Sequence, residues 1–93
     1  MITIFQDDLA HLKLDLDQQV PLLHLQVKDW GVGVYKQLLD RWVIILEKLR
    51  ELGLPAVFSF IDKQDTNAQK FQGMFGLELV GENEQGFLYK LEL

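Results

Sequence analysis

The residue types best suited to chemistry lie in one short segment, Lys28 to Gly33, which reads KDWGVG. Its two glycines let the backbone approach a ligand closely, because glycine carries no side chain. If a helix begins directly after them, its free amide hydrogens and the positive end of its dipole attract a phosphate group. The segment therefore predicts a cradle for a pyrophosphate. A short glycine pair on its own more often serves only to turn a strand into a helix, and this second interpretation stays open.

Strands must precede this segment if it is to work as a cradle. Apolar and polar residues alternate strictly from Ala10 to Asp17 and again from Leu23 to Val27, which is the period of a strand with one buried face. The polar stretch between them predicts a turn, with Pro21 at the start of the second strand. Residues Ile2 to Phe5 predict a short edge strand, because Ile and Thr favour extended structure.

A long helix is predicted after the glycines. From Tyr35 to Leu52 apolar residues recur at the three-and-four spacing of a helical face, and Gly53 and Pro55 end the pattern. Val43, Ile44 and Ile45 widen the apolar stripe. We therefore expect the helix to pack between a sheet and another surface, such as a second chain.

The remaining elements complete an α+β domain. Ala56 to Ile61 is a nearly continuous apolar run, which predicts a strand buried on both faces and joined to its predecessor by a right-handed parallel crossover. Asp65 supplies the cap of a short second helix. The predicted inner face of that helix consists of Ala68, Phe71, Met74 and Phe75. Leu77 to Val80 and Phe87 to Leu93 predict two final strands, so the order is hairpin, long helix, buried strand, short helix, final hairpin.

Two segments together resemble the GNAT N-acetyltransferase superfamily. Members carry a loop of the form Arg or Gln, any, any, Gly, any, Gly or Ala between a strand and a helix, and Lys28, Gly31 and Gly33 stand at those positions. Members also read like Asn-x-x-Ala-x-x-Phe-Tyr-x-x-Leu-Gly-Phe after the next strand, which aligns without a gap to residues 65–77, DTNAQKFQGMFGL. The resemblance covers about residues 23–93 and implies one GNAT-like domain over 1–93, with the mixed sheet of the family's C-terminal, cofactor-binding half.

The resemblance implies acetyl-CoA, or a related CoA thioester, as the cofactor and an amine as the acceptor of the acetyl group. The implied cofactor contacts are Lys28, Trp30, Gly31, Val32, Gly33 and Val34. No metal is implied, and no catalytic residue is assigned. Degenerate versions of the pattern occur in GNAT-like proteins of short-tailed bacteriophages, so a phage-type origin is one implication.

The chain departs from the family pattern at several places. Gln72 stands where many members carry a tyrosine that protonates the leaving thiolate, and an amide cannot act as a general acid. Asp65 replaces the usual Asn. The leucine pair at 38–39 falls two residues later than the pattern puts it. Most of the elements that build the acceptor site in the family are missing, so an acceptor pocket would have to come from a partner.

Composition narrows the classes of partner. The 93 residues include no cysteine and two histidines, which argues against disulfides, thiolate metal sites and a histidine-rich metal site. The formal charge of −5 opposes nonspecific binding to nucleic acid or to an anionic membrane. The longest apolar stretch, Trp42 to Leu46, is far shorter than the roughly 20 residues that span a bilayer. Without a recognisable signal peptide, we expect a cytoplasmic protein.

Two functions are compatible with these observations. The first is a CoA-thioester-binding protein with N-acetyltransferase activity. The second is a noncatalytic interaction module that keeps the fold, binds a protein partner or forms a homodimer, and associates through the long helix or the final hairpin. Bulky replacements of Gly31 and Gly33 would abolish cofactor binding under the first reading and change only stability, slightly, under the second.

Overall fold

The computed structural model describes residues 1–31 and 33–93, and it consists of six strands and two helices. The strands are β1 (Ile2–Gln6), β2 (Ala10–Asp15), β3 (Leu22–Val27), β4 (Ala56–Asp62), β5 (Glu78–Glu82) and β6 (Gly86–Glu92). The helices are α1 (Val34–Glu51) and α2 (Thr66–Met74). No described helix combines the length and the apolar character needed to cross a membrane.

All six strands form one mixed sheet in the order β1-β2-β3-β4-β6-β5. The β3–β4 pair is parallel, with α1 as its crossover, and the other neighbours are antiparallel. The predicted α+β class, both hairpins, the amino-terminal edge strand and the parallel crossover are therefore confirmed. The first long strand ends at Asp15, two residues earlier than the alternation suggested.

Both helices pack on the same face of the sheet, where they form one apolar core. This core contains Leu12, Leu14, Leu23, Val34, Leu38, Trp42, Ile45, Leu49, Val57, Phe71, Phe75 and Leu91, among others. Successive strand residues point to opposite faces, so the sequence neighbours of the core residues form a second face without a helix, here called the open face. The prediction that β4 is buried on both sides is wrong for this reason, since Phe60 lies on the open face and is 42% exposed.

Local sequence signals set the helix ends. Gly33 precedes α1 with φ 84°, and Gly53 follows it with φ 74°. At α2 the Asp65 carboxylate accepts the backbone N–H of Ala68 at 3.1 Å, as its capping role predicts. The predicted inner face of α2 needs one correction, because Met74 is 57% exposed.

Gln72 takes the place of Met74 on the inner face of α2, at 2% exposure. Residues 68, 71, 72 and 75 follow the i, i+3, i+4, i+7 pattern of a helix face, whereas residue 74 lies about 100° away from residue 75. The Gln72 amide can be buried there because its Nε2 donates to the Ala68 carbonyl oxygen at 3.2 Å.

A half-buried ion pair ties the β1–β2 turn to α1. The Asp7 carboxylate accepts the backbone N–H groups of Leu9 at 2.8 Å and Ala10 at 3.0 Å, and it accepts a hydrogen bond from Arg41 Nε. Burial alone would raise the pKa of Asp7, but these hydrogen bonds and the Arg41 charge outweigh it, so the pKa lies below its ordinary value. The ionised form is therefore favoured by folding.

We expect Asp7→Asn to lower the free energy of unfolding by about 1 kcal/mol at pH 7, because it weakens charge-assisted hydrogen bonds. The carboxylate contribution is fully present above the unfolded-state pKa and is lost as pH falls through the lower folded pKa. The difference between wild type and variant should therefore shrink below about pH 4. Urea unfolding at pH 7 and pH 3 measures it. Asp8→Asn, at the exposed neighbour, is the control, and an equal effect there would contradict the assignment.

Candidate functional site

The two parallel strands separate after a short paired region. In the described chain β3 and β4 are paired at Leu22↔Phe58 and Leu23↔Ser59, and no further pairs follow toward their carboxyl ends. The separation leaves a cleft of about 550 Å³. Ligands of open sheets with crossover helices commonly bind at the carboxyl ends of the strands. The cleft is therefore the first place to look for a ligand.

Backbone groups of β3 point into this cleft. The Pro21 carbonyl oxygen accepts the backbone N–H of Phe58 at 2.8 Å, so residue 21 presents its carbonyl group to β4. Because this direction alternates along a strand, Leu25 and Val27 present their peptide groups to the same side, beyond the last paired residue. These N–H and C=O groups form a strand edge that can bind an extended, amide-containing ligand.

The amino terminus of α1 follows directly in the chain. Gly33 occupies the cap position, no side chain caps the helix, and its first turn contains no acidic residue. The backbone N–H of Val34 donates to Gly31 at 3.3 Å, which closes the turn. An uncapped helix start without nearby helical carboxylates favours an anion.

Among the sequence-predicted cofactor residues that the structure describes, one reaches the cleft with its side chain. Trp30 lines the cleft and packs against Tyr35 and Phe71, with ring centroids 5.2 and 6.3 Å away. The exposed Lys28 instead borders a smaller groove of about 190 Å³ beside β1 and β2. Val34 is 7% exposed and belongs to the core.

The two glycines of the segment differ in what they allow. A side chain built at Gly31 would meet Val34 at 4.0 Å, which is ordinary contact. A side chain at Gly33 would meet nothing, but its φ of 84° strains any other residue. Val32, the remaining member of the predicted set, lies outside the described residues.

The opposite wall of the cleft comes from residues that the sequence did not single out as ligand contacts. Phe60 and Asp62 from β4 and Ala68 from α2 lie there. The signal that could have identified them is topological, since the carboxyl end of β4 must lie beside the carboxyl end of β3 once the two strands are parallel. Asp65 and Gln72, noted as departures from the family pattern, also line this wall.

The titratable side chains that line the cleft in the described chain are His24, Asp62 and Asp65. Asp65 is committed to its helix cap, and Asp62 Oδ1 accepts the backbone N–H of Gln64 at 2.8 Å. Gln72 offers a hydrogen-bonding amide and no proton of suitable acidity. The cleft can therefore bind and orient a ligand.

No family model and no curated protein matches the sequence. Solved structures do match the fold. The N-acetyltransferase PseH of Campylobacter jejuni superposes with a TM-score of 0.70 at 15% identity, over 90% of this chain and 59% of that one. The PaiA N-acetyltransferase of Thermoplasma acidophilum, solved in complex with coenzyme A, gives 0.63 at 15% identity, over 91% and 54%.

A GNAT-family acetyltransferase of Listeria monocytogenes gives a TM-score of 0.62 at 15% identity, over 91% of this chain and 58% of that one. The chain thus spans little more than half the length of these three proteins. The predicted resemblance is confirmed at the level of architecture: over nine tenths of its length, this chain has the fold of part of a GNAT acetyltransferase.

Proposed function

We propose that the chain binds a coenzyme A thioester in the cleft between β3 and β4, with the phosphate groups at the start of α1. The observation that carries the proposal is the open strand edge of Leu25 and Val27 beside an uncapped helix terminus. The strand edge suits an extended ligand with amide groups, and the helix terminus suits an anion. The T. acidophilum neighbour, which was solved with coenzyme A, supports the same choice of ligand.

The residues present fit this group. The pantetheine arm of coenzyme A is slender and carries two amides, and the peptide groups of Leu25 and Val27 offer it donors and acceptors in the manner of an added strand. The Trp30 ring provides an apolar wall. Gly31 keeps the backbone beside the helix start open to a phosphate.

Beyond cofactor binding, we propose that the chain transfers an acetyl group from acetyl-CoA to an amine. The thioester supplies an acyl group that is already activated toward amines. The chain contributes positioning, which can account for much of such a rate enhancement. The amine nitrogen attacks the thioester carbonyl, the C–S bond breaks, and the proton that the amine loses balances the proton that the CoA thiolate takes up. Gln72 cannot donate that proton, because an amide is not a general acid.

Isothermal calorimetry of the folded chain with acetyl-CoA and, separately, with CoA tests binding. We expect saturable binding near micromolar strength, about −8 kcal/mol. Gly31→Leu should weaken it at least tenfold, about 1.4 kcal/mol, because the side chain blocks the backbone from a phosphate. Absence of heat from a chain shown to be folded would contradict the proposal. If binding is found, an acceptor screen follows.

Gly31 is a sharper test position than Gly33. Replacement of Gly33 strains the backbone at φ 84° and so lowers stability whether or not a cofactor binds. Gly53 provides a matched control, since it has φ 74° at the other end of α1. Gly33→Ala and Gly53→Ala should each cost about 1 kcal/mol of stability, but only Gly33→Ala should also weaken CoA binding. Equal affinities for the two variants would argue against the cradle.

A second candidate function is a noncatalytic, self-associating module of the same fold, of the kind that phage-type members suggest. The outer face of α1 exposes Leu39, Val43 and Ile44 at 50, 61 and 47%, and β5 exposes Leu79 and Val80 at 55 and 49%. Exposed apolar side chains in such number favour an interaction surface. This function requires self-association or a protein partner and does not require CoA.

A further inference from the structure

A row of four residues crosses the open face of the sheet at one level. The strand registers pair Asp15 with Leu22, Leu22 with Phe58, and Phe58 with Lys90. Each is a sequence neighbour of a core residue, so each side chain points away from the helices. Across β2, β3, β4 and β6 the row therefore reads acid, apolar, apolar, base.

Two copies of this row that face each other in opposite order bring acid against base and apolar side chain against apolar side chain. A twofold axis that runs along the strands between β3 and β4 places β2 of one copy over β6 of the other, and β3 over β4. Asp15 then faces Lys90 of the second copy, and Leu22 faces Phe58, on both sides of the axis. A twofold axis across the strands would instead place Asp15 over Asp15, which electrostatics disfavours.

We propose that a second copy of this chain docks on the open face through this row, and forms a face-to-face sheet dimer. Phe60, which is 42% exposed and pairs with Leu88, extends the apolar centre toward the cleft. Aligned sheets pack about 10 Å apart with a rotation of about 30°. Asp15 and Lys90 lie about 7 Å from the axis, so this rotation shifts each of them sideways by only about 4 Å relative to its partner in the other copy.

The charged ends of the row are available for this pairing. Lys90 lies opposite Glu78 of β5 in the register, and its Nζ lies 3.6 Å from Glu92, whose side chain is 83% exposed, so its pairing with these surface acids contributes little. Asp15 accepts the Asp17 backbone N–H at 3.0 Å and Gln18 Nε2 at 3.3 Å, and its carboxylate can accept further hydrogen bonds. The Lys90 ammonium and the Asp15 carboxylate can therefore each form an ion pair with the other residue of the second copy.

The dimer also bears on the cleft. The β3–β4 separation begins directly after the Leu23↔Ser59 pair, next to the proposed axis. A second copy would therefore wall off the cleft on the open face. This inference goes beyond the proposed cofactor binding and is independent of it, because the dimer forms without a ligand.

Sedimentation of two charge-reversal variants, alone and mixed, tests the dimer. Asp15→Lys places lysines on both sides of the interface, and Lys90→Asp places aspartates there, so each variant alone should dissociate at least tenfold more readily than wild type. In a mixed dimer the introduced lysine of one variant faces the introduced aspartate of the other, and the second charge pair remains the native Asp15–Lys90 pair. The mixture should therefore restore dimers close to wild-type strength.

Matched controls separate this face from other surfaces. Asp40→Lys makes the same charge change on the exposed side of α1, away from the open face, and should leave the dimer intact. Val43→Asp disrupts the outer face of α1 and should also leave it intact. Circular dichroism confirms that each variant is folded. A wild-type chain that is monomeric at about 0.1 mM, a dimer lost in Val43→Asp but kept in Asp15→Lys, or a mixture that does not recover would overturn the proposal.

Discussion

Replacement of Phe71 by alanine is expected to lower the free energy of unfolding by about 3 to 5 kcal/mol. The ring is 4% exposed, and it stacks on Phe75 with centroids 4.0 Å apart. It also meets the edges of Trp42 at 5.8 Å and Trp30 at 6.3 Å. Its removal leaves a cavity that three rigid aromatic neighbours cannot fill. Domains of this size have only about 0.05 to 0.15 kcal/mol of stability per residue, so the loss is a large part of the total.

Urea unfolding followed by tryptophan fluorescence measures this change directly. Met74→Ala is the matched control, because Met74 lies on the same helix, is similar in volume and is 57% exposed. It should change stability by no more than about 0.5 kcal/mol. Similar losses for both variants would contradict the assignment of Phe71 to the core. Because Trp30 also lines the cleft, Phe71→Ala should weaken any cofactor binding as well.

Periodicity and capping chemistry were enough to predict the elements. The strict alternation that starts at Ala10 can bury only one face, so it specifies a strand without knowledge of its neighbours. Gly53 and Asp65 mark helix ends by their own conformational and hydrogen-bonding preferences. These signals are local, and the helices and strands of the structure lie at the positions that the signals predicted.

Long-range arrangement was harder to predict. The apolar run of β4 predicted burial on both faces of the strand, but apolar content does not specify what covers each face. Phe60 is consequently exposed on the open face. In α2 the helical spacing places Gln72 rather than Met74 on the inner face, and its polar side chain is tolerated there because the amide donates to the Ala68 carbonyl oxygen.

The candidate site also has a part that the sequence predicted and a part that it did not. The glycine segment was visible from spacing, because glycine at a strand-to-helix turn has a direct physical meaning. The cleft beside it was not visible, because it arises where β3 and β4 stop pairing after Leu23↔Ser59. Strand separation depends on register and twist, and these are properties of the assembled sheet. No local sequence pattern therefore identified side chains such as Asp62 as part of the site.

Replacement of Gly86 by alanine is expected to destabilise the chain by about 2 to 3 kcal/mol through overpacking. Gly86 is the first residue of β6 and pairs with Asp62 at the end of β4. An added methyl group would overlap the carbonyl oxygen of Ile61 and would lie 2.9 Å from the ζ carbon of Phe60. A backbone oxygen cannot rotate away as a side chain can, so the end of β4 must move.

That movement connects stability to the site, because Phe60, Ile61 and Asp62 all line the cleft. Thermal unfolding should show the loss of stability, and calorimetry should show weaker CoA binding in the same variant. Gly73→Ala is the control, since Gly73 lies within α2 with open space around it. Alanine there should raise stability by about 0.5 to 1 kcal/mol. If Gly86→Ala were as well tolerated as Gly73→Ala, the close approach of β6 to β4 at this wall of the cleft would be refuted.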